Sequence, residues 1–299
     1  MISVKCSNCA SELAIDTHGN LICPYCGSKS FMSDKELSEY KNLRMNMLNY
    51  LRTENDLRGN RTGDNTIWSH NELLSLRASN GDIVNIRYTF YSEYDGVKTY
   101  ITEDSVVNIF EKEDEAKATA VPGNIKLLCY PSAAGKDLSK YFPHIKVNLK
   151  LFDGRTLLAY SKPGNCYPLF AFGNLRPKHV AWIVSRMENF CCVFEYSSII
   201  HGGISTDTVF INPTTHEAYL LGGWWKARQK HSFAKNEDLT ALRLTADRLM
   251  GEFKAEAPHE FKDFIKSKPA EDAYTDFGNW DKVIVNGFGG HNFTKFKEG

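Results

Sequence analysis

Three features of the sequence predict an α+β protein of two lobes, a small β lobe and then a helical one, preceded by a small cysteine-held ribbon. Strand-like segments crowd residues 81–160, helical periodicity takes over beyond Gly164, and four of the eight cysteines fall within the first 26 residues. Strands first and helices after favour segregated layers over an alternating parallel sheet. At 299 residues the chain has room for about two domains. With 42% hydrophobic and 24% charged residues, it is composed as an ordinary globular protein, which excludes long disorder and a disulfide-stapled miniprotein. Thirty-six basic side chains offset 36 acidic ones, so the chain as a whole lacks the electrostatic footprint of a nucleic-acid binder. No apolar run reaches the roughly 18 residues of a membrane helix, and the first residues are too polar for a signal peptide. The expectation is therefore a cytoplasmic protein with no membrane partner.

The ribbon comes first. Cys6-x2-Cys9 and Cys23-x2-Cys26 flank thirteen residues, 10–22, with a turn cluster over 16–20. Each pair sets two thiolates on one tight turn, and two such turns complete a tetrahedral site for Zn2+. Residues 1–32 thus read as a zinc ribbon, two knuckles joined by a hairpin. The competing reading, a pair of disulfides, lacks a secretory signal and a closed cysteine framework to support it. Four thiolates leave no open position, so the metal would be structural, supplying much of the folding energy of so small a module. Lys5 and Lys29 are the only Lys or Arg residues over 3–31, too few to follow a phosphate track.

Next, Ser33 and Glu36 stand at capping-box spacing, and Leu37, Tyr40, Leu43, Met47, Leu48 and Leu51 recur with helical period. They predict an amphipathic helix over 34–53 whose apolar face docks on the larger domain. Residues 54–66 are polar, with two glycines and three asparagines, and read as a linker. The boundaries are therefore 33–66 for connecting helix and linker, and 67–299 for the larger domain. Its small lobe covers about 67–162 and its helical lobe about 163–299. Residues 81–91 and 97–102 form a predicted hairpin around Tyr94-Asp95-Gly96. Residues 106–120 have helical composition, with a dense charged face from Glu111 to Glu115, and 124–129 are strand-like. A second hairpin, 145–151 and 156–160, turns at Asp153-Gly154. Pro177 opens a helix carrying Val180, Ile183, Val184, Met187, Cys191 and Phe194 on one face. Cys191 and Cys192 read as small apolar residues, while Cys129 and Cys166 are isolated.

The segment 199–225 carries His201-Gly202-Gly203, the short apolar runs 209–211 and 219–221, and Leu221-Gly222-Gly223-Trp224-Trp225. It resembles the catalytic loop and metal-binding strand of the protein-kinase fold, H-R-D-L-x-x-x-x-N followed by D-F-G. The helix at 178–195 matches the one that precedes this loop. Residues 156–164 resemble the strand entering the interlobe hinge, and Asp238 stands where the buried helix of the large lobe carries an aspartate. The segments 176–182 and 288–296 are similar to bacterial and phage kinase-like proteins that pair this fold with accessory modules. The resemblance spans about residues 75–297 and implies a two-lobed protein-kinase-like fold.

It also implies what is missing. The catalytic aspartate aligns with Gly203 and the metal-binding aspartate of D-F-G with Gly222. The metal-binding asparagine aligns with Thr208, and Asp207 is the nearest substitute carboxylate. Glycine supplies neither base nor ligand, and positioning and charge neutralisation are most of phosphoryl transfer. Of the glycine-rich loop only Asn80-Gly81-Asp82 remains. Lys98 and Lys126 compete for the phosphate-anchoring position, and Lys98 is preferred because a strand–helix–strand order then follows. His201 reads as structural, and Trp224 and Trp225 read either as a cleft plug or as core. The resemblance therefore implies a pseudokinase, a catalytically impaired regulatory scaffold that binds a protein partner, with ATP and Mg2+ as open cofactors. Two alternatives stand beside it: an atypical ATP-dependent phosphotransferase with displaced metal ligands, and a nucleic-acid-associated adaptor acting through the ribbon.

Overall fold

The computed structural model describes residues 6, 8–10, 13–15, 20–23, 26–57, 67–132, 134–231 and 236–292. The turn at 16–19, Lys5, the linker from 58 to 66 and the C-terminal 293–296 lie outside the described residues. Three short strands, β1 (Ala14–Ile15), β2 (Asn20–Ile22) and β3 (Lys29–Phe31), form an antiparallel sheet in that order. Helix α1 (Asp34–Leu57) follows, four residues longer than the apolar pattern predicts. Its capping box is present: Ser33 N and Oγ donate to Glu36 Oε2 at 2.9 and 2.7 Å. The helix docks within the chain, as its apolar face predicts. Leu48 is fully buried in the main core, and Arg44 donates to the carbonyls of His70 and Thr89 and pairs with Glu72 at 3.1 Å.

The small lobe has two layers. A hairpin of β4 (Glu72–Arg77) and β5 (Ile83–Tyr88), turning at Asn80-Gly81, stands apart from the main sheet. That sheet holds β6 (Phe90–Tyr94), β7 (Val97–Ile101), β8 (Ser105–Phe110), β9 (Ile145–Lys150) and β10 (Thr156–Ser161) in the order β6-β7-β8-β10-β9. Between β8 and β9 runs helix α2 (Glu115–Lys126). The predicted helix over 106–120 is therefore corrected. Its first five residues are Val106, Val107, Asn108, Ile109 and Phe110, four of them β-branched or aromatic types that pack on a pleated surface, and only the charged remainder is helical. Alternation divides the sheet's two faces. Val107, Ile109, Tyr100, Leu157 and Ala159 meet Leu76, Ile86 and Tyr88 of the outer hairpin. Val106, Phe110, Val97, Ile101, Leu158 and Tyr160 face the helical lobe.

Beyond the hinge, β11 (Tyr167–Pro168) pairs with β13 (Val209–Asn212), which pairs with β14 (Glu217–Leu220). A second small ladder joins β12 (Ile199–Ile200) to β15 (Arg228–Gln229). Four helices complete the lobe: α3 (Pro177–Tyr196), α4 (Glu237–Met250), α5 (His259–Lys266) and α6 (Ala273–Phe288). Pro177 opens α3, where its missing N–H costs nothing. Arg243 of α4 and Asp276 of α6 form a buried bidentate pair at 2.8 and 2.9 Å. This is the two-lobed, protein-kinase-like α+β architecture that the sequence predicts, with the loop 201–208 at the junction of the lobes. No helix among the described residues is long and apolar enough to cross a membrane.

Candidate functional site

Two sites follow from this framework, a four-cysteine cluster and the interlobe cleft. In the ribbon, each Cys-x-x-Cys pair closes a tight turn: Ala10 N donates to Cys6 O at 2.8 Å and Gly27 N to Cys23 O at 3.0 Å. The residue after each second cysteine is left-handed, Ala10 at φ 58° and Gly27 at φ 69°. The ligand atoms of Cys6, Cys9, Cys23 and Cys26 all lie within 4.8 Å of one another. Sγ separations are 3.6 Å for Cys6 and Cys26 and 3.4 Å for Cys9 and Cys23. These approach the edge of about 3.8 Å of a tetrahedron of thiolates around a zinc ion at about 2.3 Å. All four are free cysteines, so the competing disulfide reading gains no support. Backbone amides of Asn8 and then Cys9, pointing at Cys6, hold its thiol below the ordinary range, which favours the thiolate that a metal needs. The donor set thus fits a structural zinc ion.

In the cleft, the loop is built around a buried carboxylate. Asp238, at the start of α4, accepts the amides of His201 and Gly202, both at 2.8 Å. Burial pushes the Asp238 carboxyl up to about 6, against the pull of those two amides. His201 is fully buried, stacked on Phe194 with centroids 5.6 Å apart and met edge-on by Trp224 at 4.8 Å. Burial pushes its imidazole down to about 3, so it stays neutral and its role here is to pack.

Gly203 and Gly222, the two glycines that the resemblance aligns with aspartates, are both tightly packed. A Cβ at Gly203 would lie 3.3 Å from the Cα and O of Gly223. At Gly222 it would lie 3.0 Å from Thr208 Cα, and at Gly223, with φ 77°, 3.0 Å from the His201 ring. The chain here is packed backbone to backbone, and the space of an aspartate side chain is filled. Thr208 is buried in the same knot. Its hydroxyl donates to Gly203 O at 2.6 Å and accepts from Ser205 N at 2.9 Å, so it faces its own loop. Asp207 is half-buried beside Thr206, and burial raises its carboxyl while Arg248 opposes the shift. It stands outside the four-cysteine cluster, the one group of three or more His, Cys, Asp or Glu ligands found among the described residues.

The strand before the helix of the small lobe is β8, and neither Lys98 nor Lys126 lies on it. The residues of β8 that face the other lobe are Val106, Asn108 and Phe110. Lys98 lies on β7, on the outward face with Tyr100, and pairs with Glu111 at 2.7 Å. Lys126 ends α2 and is not on a strand. Asn80-Gly81 turns the outer hairpin, whereas the first two strands of the main sheet turn at Asp95-Gly96, with φ 54° and 78°.

That turn is bonded to the far lobe. Trp225 Nε1 donates to Asp95 Oδ2 at 3.1 Å, and its ring meets Phe110 edge-on at 5.6 Å and Tyr94 at 6.1 Å. Lys117 of α2 pairs with the same Asp95 oxygen at 3.4 Å, and Asn124 of α2 donates to Trp224 O at 2.9 Å. The hairpin turn, β8 and the strand end at Gly222 are the three elements that converge on phosphates in a kinase. Here they converge on a 7% exposed tryptophan. The sequence marked Trp225 as plug or core, but it gave no sign of Asp95 or Phe110, which lie more than a hundred residues earlier.

No family model and no curated protein matches the chain. Among solved structures, similarity extends to vaccinia related kinase 3 at 12% identity, over 71% of this chain and 91% of that one, with a TM-score of 0.46. A crystal structure of WbdD is similar at 14% identity over 67% of this chain, which spans only 46% of WbdD, again with a TM-score of 0.46. A Toxoplasma gondii rhoptry antigen kinase domain is similar at 8% identity, over 72% and 86% of the two chains, with a TM-score of 0.46.

Proposed function

We propose that the chain is a pseudokinase: a kinase-like scaffold, carrying a structural zinc ribbon, that acts by binding a protein partner and transfers no phosphate. The observation that carries this reading is the close packing of Gly203 on the backbone of Gly223 and of Gly222 on Thr208. A base or metal ligand lost by substitution alone leaves a vacant place that another residue can fill. Here the chain itself has closed over the place, and the Trp225 indole stands between the lobes in front of it. Asp207, the nearest alternative carboxylate, belongs to no group of three or more metal-sized ligands among the described residues, which favours the scaffold over a displaced-metal transferase.

The test is calorimetric titration of ATP into zinc-loaded protein with and without Mg2+. No magnesium-dependent heat is expected at millimolar ATP. Magnesium-dependent binding followed by loss of the γ-phosphate would overturn the reading and return the chain to the transferases. Binding of DNA or RNA that weakens steeply with salt would favour the adaptor instead.

A further inference from the structure

The phosphate-handling elements all lie at one end of the cleft, so a nucleotide lying across it would point its base at the hinge, the segment after β10. At that end the chain's own side chains occupy three main-chain acceptors, Pro163 O, Cys166 O and Gly164 O. Lys162 is 5% exposed, and its ammonium donates to Pro163 O and Cys166 O, each at 2.9 Å, and to Glu103 O at 2.8 Å. The third acceptor, Gly164 O, takes the indole N–H of Trp68 at 3.0 Å. Trp68 arrives from 96 residues earlier in the sequence. Its ring stacks on Tyr167 at 5.5 Å and 5° and meets Phe90 of β6 edge-on at 5.6 Å, with Lys162 Nζ 4.4 Å from its centroid. A flat bicyclic ring, stacked on one aromatic face, met edge-on by a second ring and donating one N–H to a hinge carbonyl, is bonded there as a purine would be.

We infer that Trp68 is a tethered internal ligand of the hinge, standing where a nucleotide base would lie, and that its removal opens a site for a free purine nucleoside. The strap carrying it is fixed to the small lobe at several points. Arg44 of α1 holds the carbonyls of His70 and Thr89, and Tyr40 of α1 donates to Glu72 Oε1 at 2.6 Å. Connecting helix and hinge are thereby one mechanical unit. The inference rests on reading the interlobe space as a closed nucleotide cleft, but it concerns the end opposite the lost catalytic groups and needs no metal.

The experiment is thermal melting of the full chain and its Trp68→Gly variant, each with adenosine, with indole, or with neither, in the absence of Mg2+. Adenosine is expected to raise the Tm of Trp68→Gly by about 2–4 °C once it stands a few-fold above its Kd, and to leave the wild type unmoved. If indole shifts the variant and adenosine does not, Trp68 is an ordinary core ring and the inference fails. It fails equally if neither compound shifts the variant, or if adenosine already shifts the wild type. Trp68→Leu keeps apolar bulk while removing the N–H, and serves in the same melts should the glycine variant not fold. Magnesium-dependent ATP binding by the wild type would instead strike at the pseudokinase reading, so the two failures are told apart.

Discussion

Ala10 and Gly27 hold the same place in the two knuckles, one residue past the second cysteine and both at positive φ. Glycine enters this region without a steric penalty, whereas alanine is strained there by roughly 1–2 kcal/mol. Ala10→Gly should relax that strain, offset in part by the larger entropy of the unfolded chain. We expect zinc transfer to a chromogenic chelator to slow several-fold in the variant, and an unchanged or faster rate would show the left-handed turn to be unstrained. Gly222 carries the opposite constraint, because any side chain there runs into Thr208. Gly222→Asp, which restores the letter of the metal-binding motif, should lower stability by about 1–3 kcal/mol and restore no magnesium affinity. Chemical denaturation and titration of Mg2+ with ATP read the two halves of that statement. Alignment with a kinase motif showed that Gly203 and Gly222 lack the catalytic groups. It did not show that the backbones had met, because contact between residues 203 and 223 is a property of the folded loop.

Among the elements, α3, α4 and α6 meet at a buried cluster of ionisable side chains that the periodicity does not reveal. Glu188 of α3 is fully buried beside Asp276, which is already paired with Arg243. Burial, and then the nearby Asp276 carboxylate, push its carboxyl up to about 9. A folded-state pKa raised above the ordinary value of 4.5 makes a contribution to stability that is complete below pH 4.5 and lost as the pH rises toward 9. Glu188→Gln keeps the shape and removes the titration. Its Tm should match the wild type near pH 5 and exceed it by several degrees near pH 9, and parallel pH profiles would refute the assignment. The same scale shows where patterns were readable. Helix α1 was announced by its capping box, and the hairpin of β6 and β7 by Asp95-Gly96. Strand β8 was hidden because its apolar residues run straight into the charged start of α2, and a short apolar run has no period of its own. The outer hairpin was missed for a related reason. Leu73 and Ile83 are exposed at 43% and 61%, so β4 and β5 carry apolar residues on both faces and do not alternate cleanly.

Over the whole molecule, the ribbon and the two-lobed body are joined by α1, whose anchors, Tyr40, Arg44 and Leu48, are independent of the cysteines. Replacing Cys6 and Cys23 by serine should therefore reduce zinc from about one ion per chain to none while the main melting transition moves by less than about 3 °C. Elemental analysis and calorimetry measure the two quantities, and collapse of the main transition would make the ribbon part of the body's core. The body's own closure is long-range in sequence. Trp68 bonds the carbonyl of Gly164, 96 positions on, and Trp225 bonds Asp95 across 130. At the roughly 5–20 residues per second of a ribosome, Gly164 follows Trp68 after about 5–20 s. All four cysteines of the ribbon have by then long been synthesised. The nascent chain can thus take up its metal as a finished N-terminal unit, while the indole that will close the hinge waits in solvent with no partner yet made. Until the helical lobe emerges, a half-made molecule presents Trp68 and Phe90 as an open aromatic surface, and that interval is when this protein is most exposed to chaperones and to aggregation.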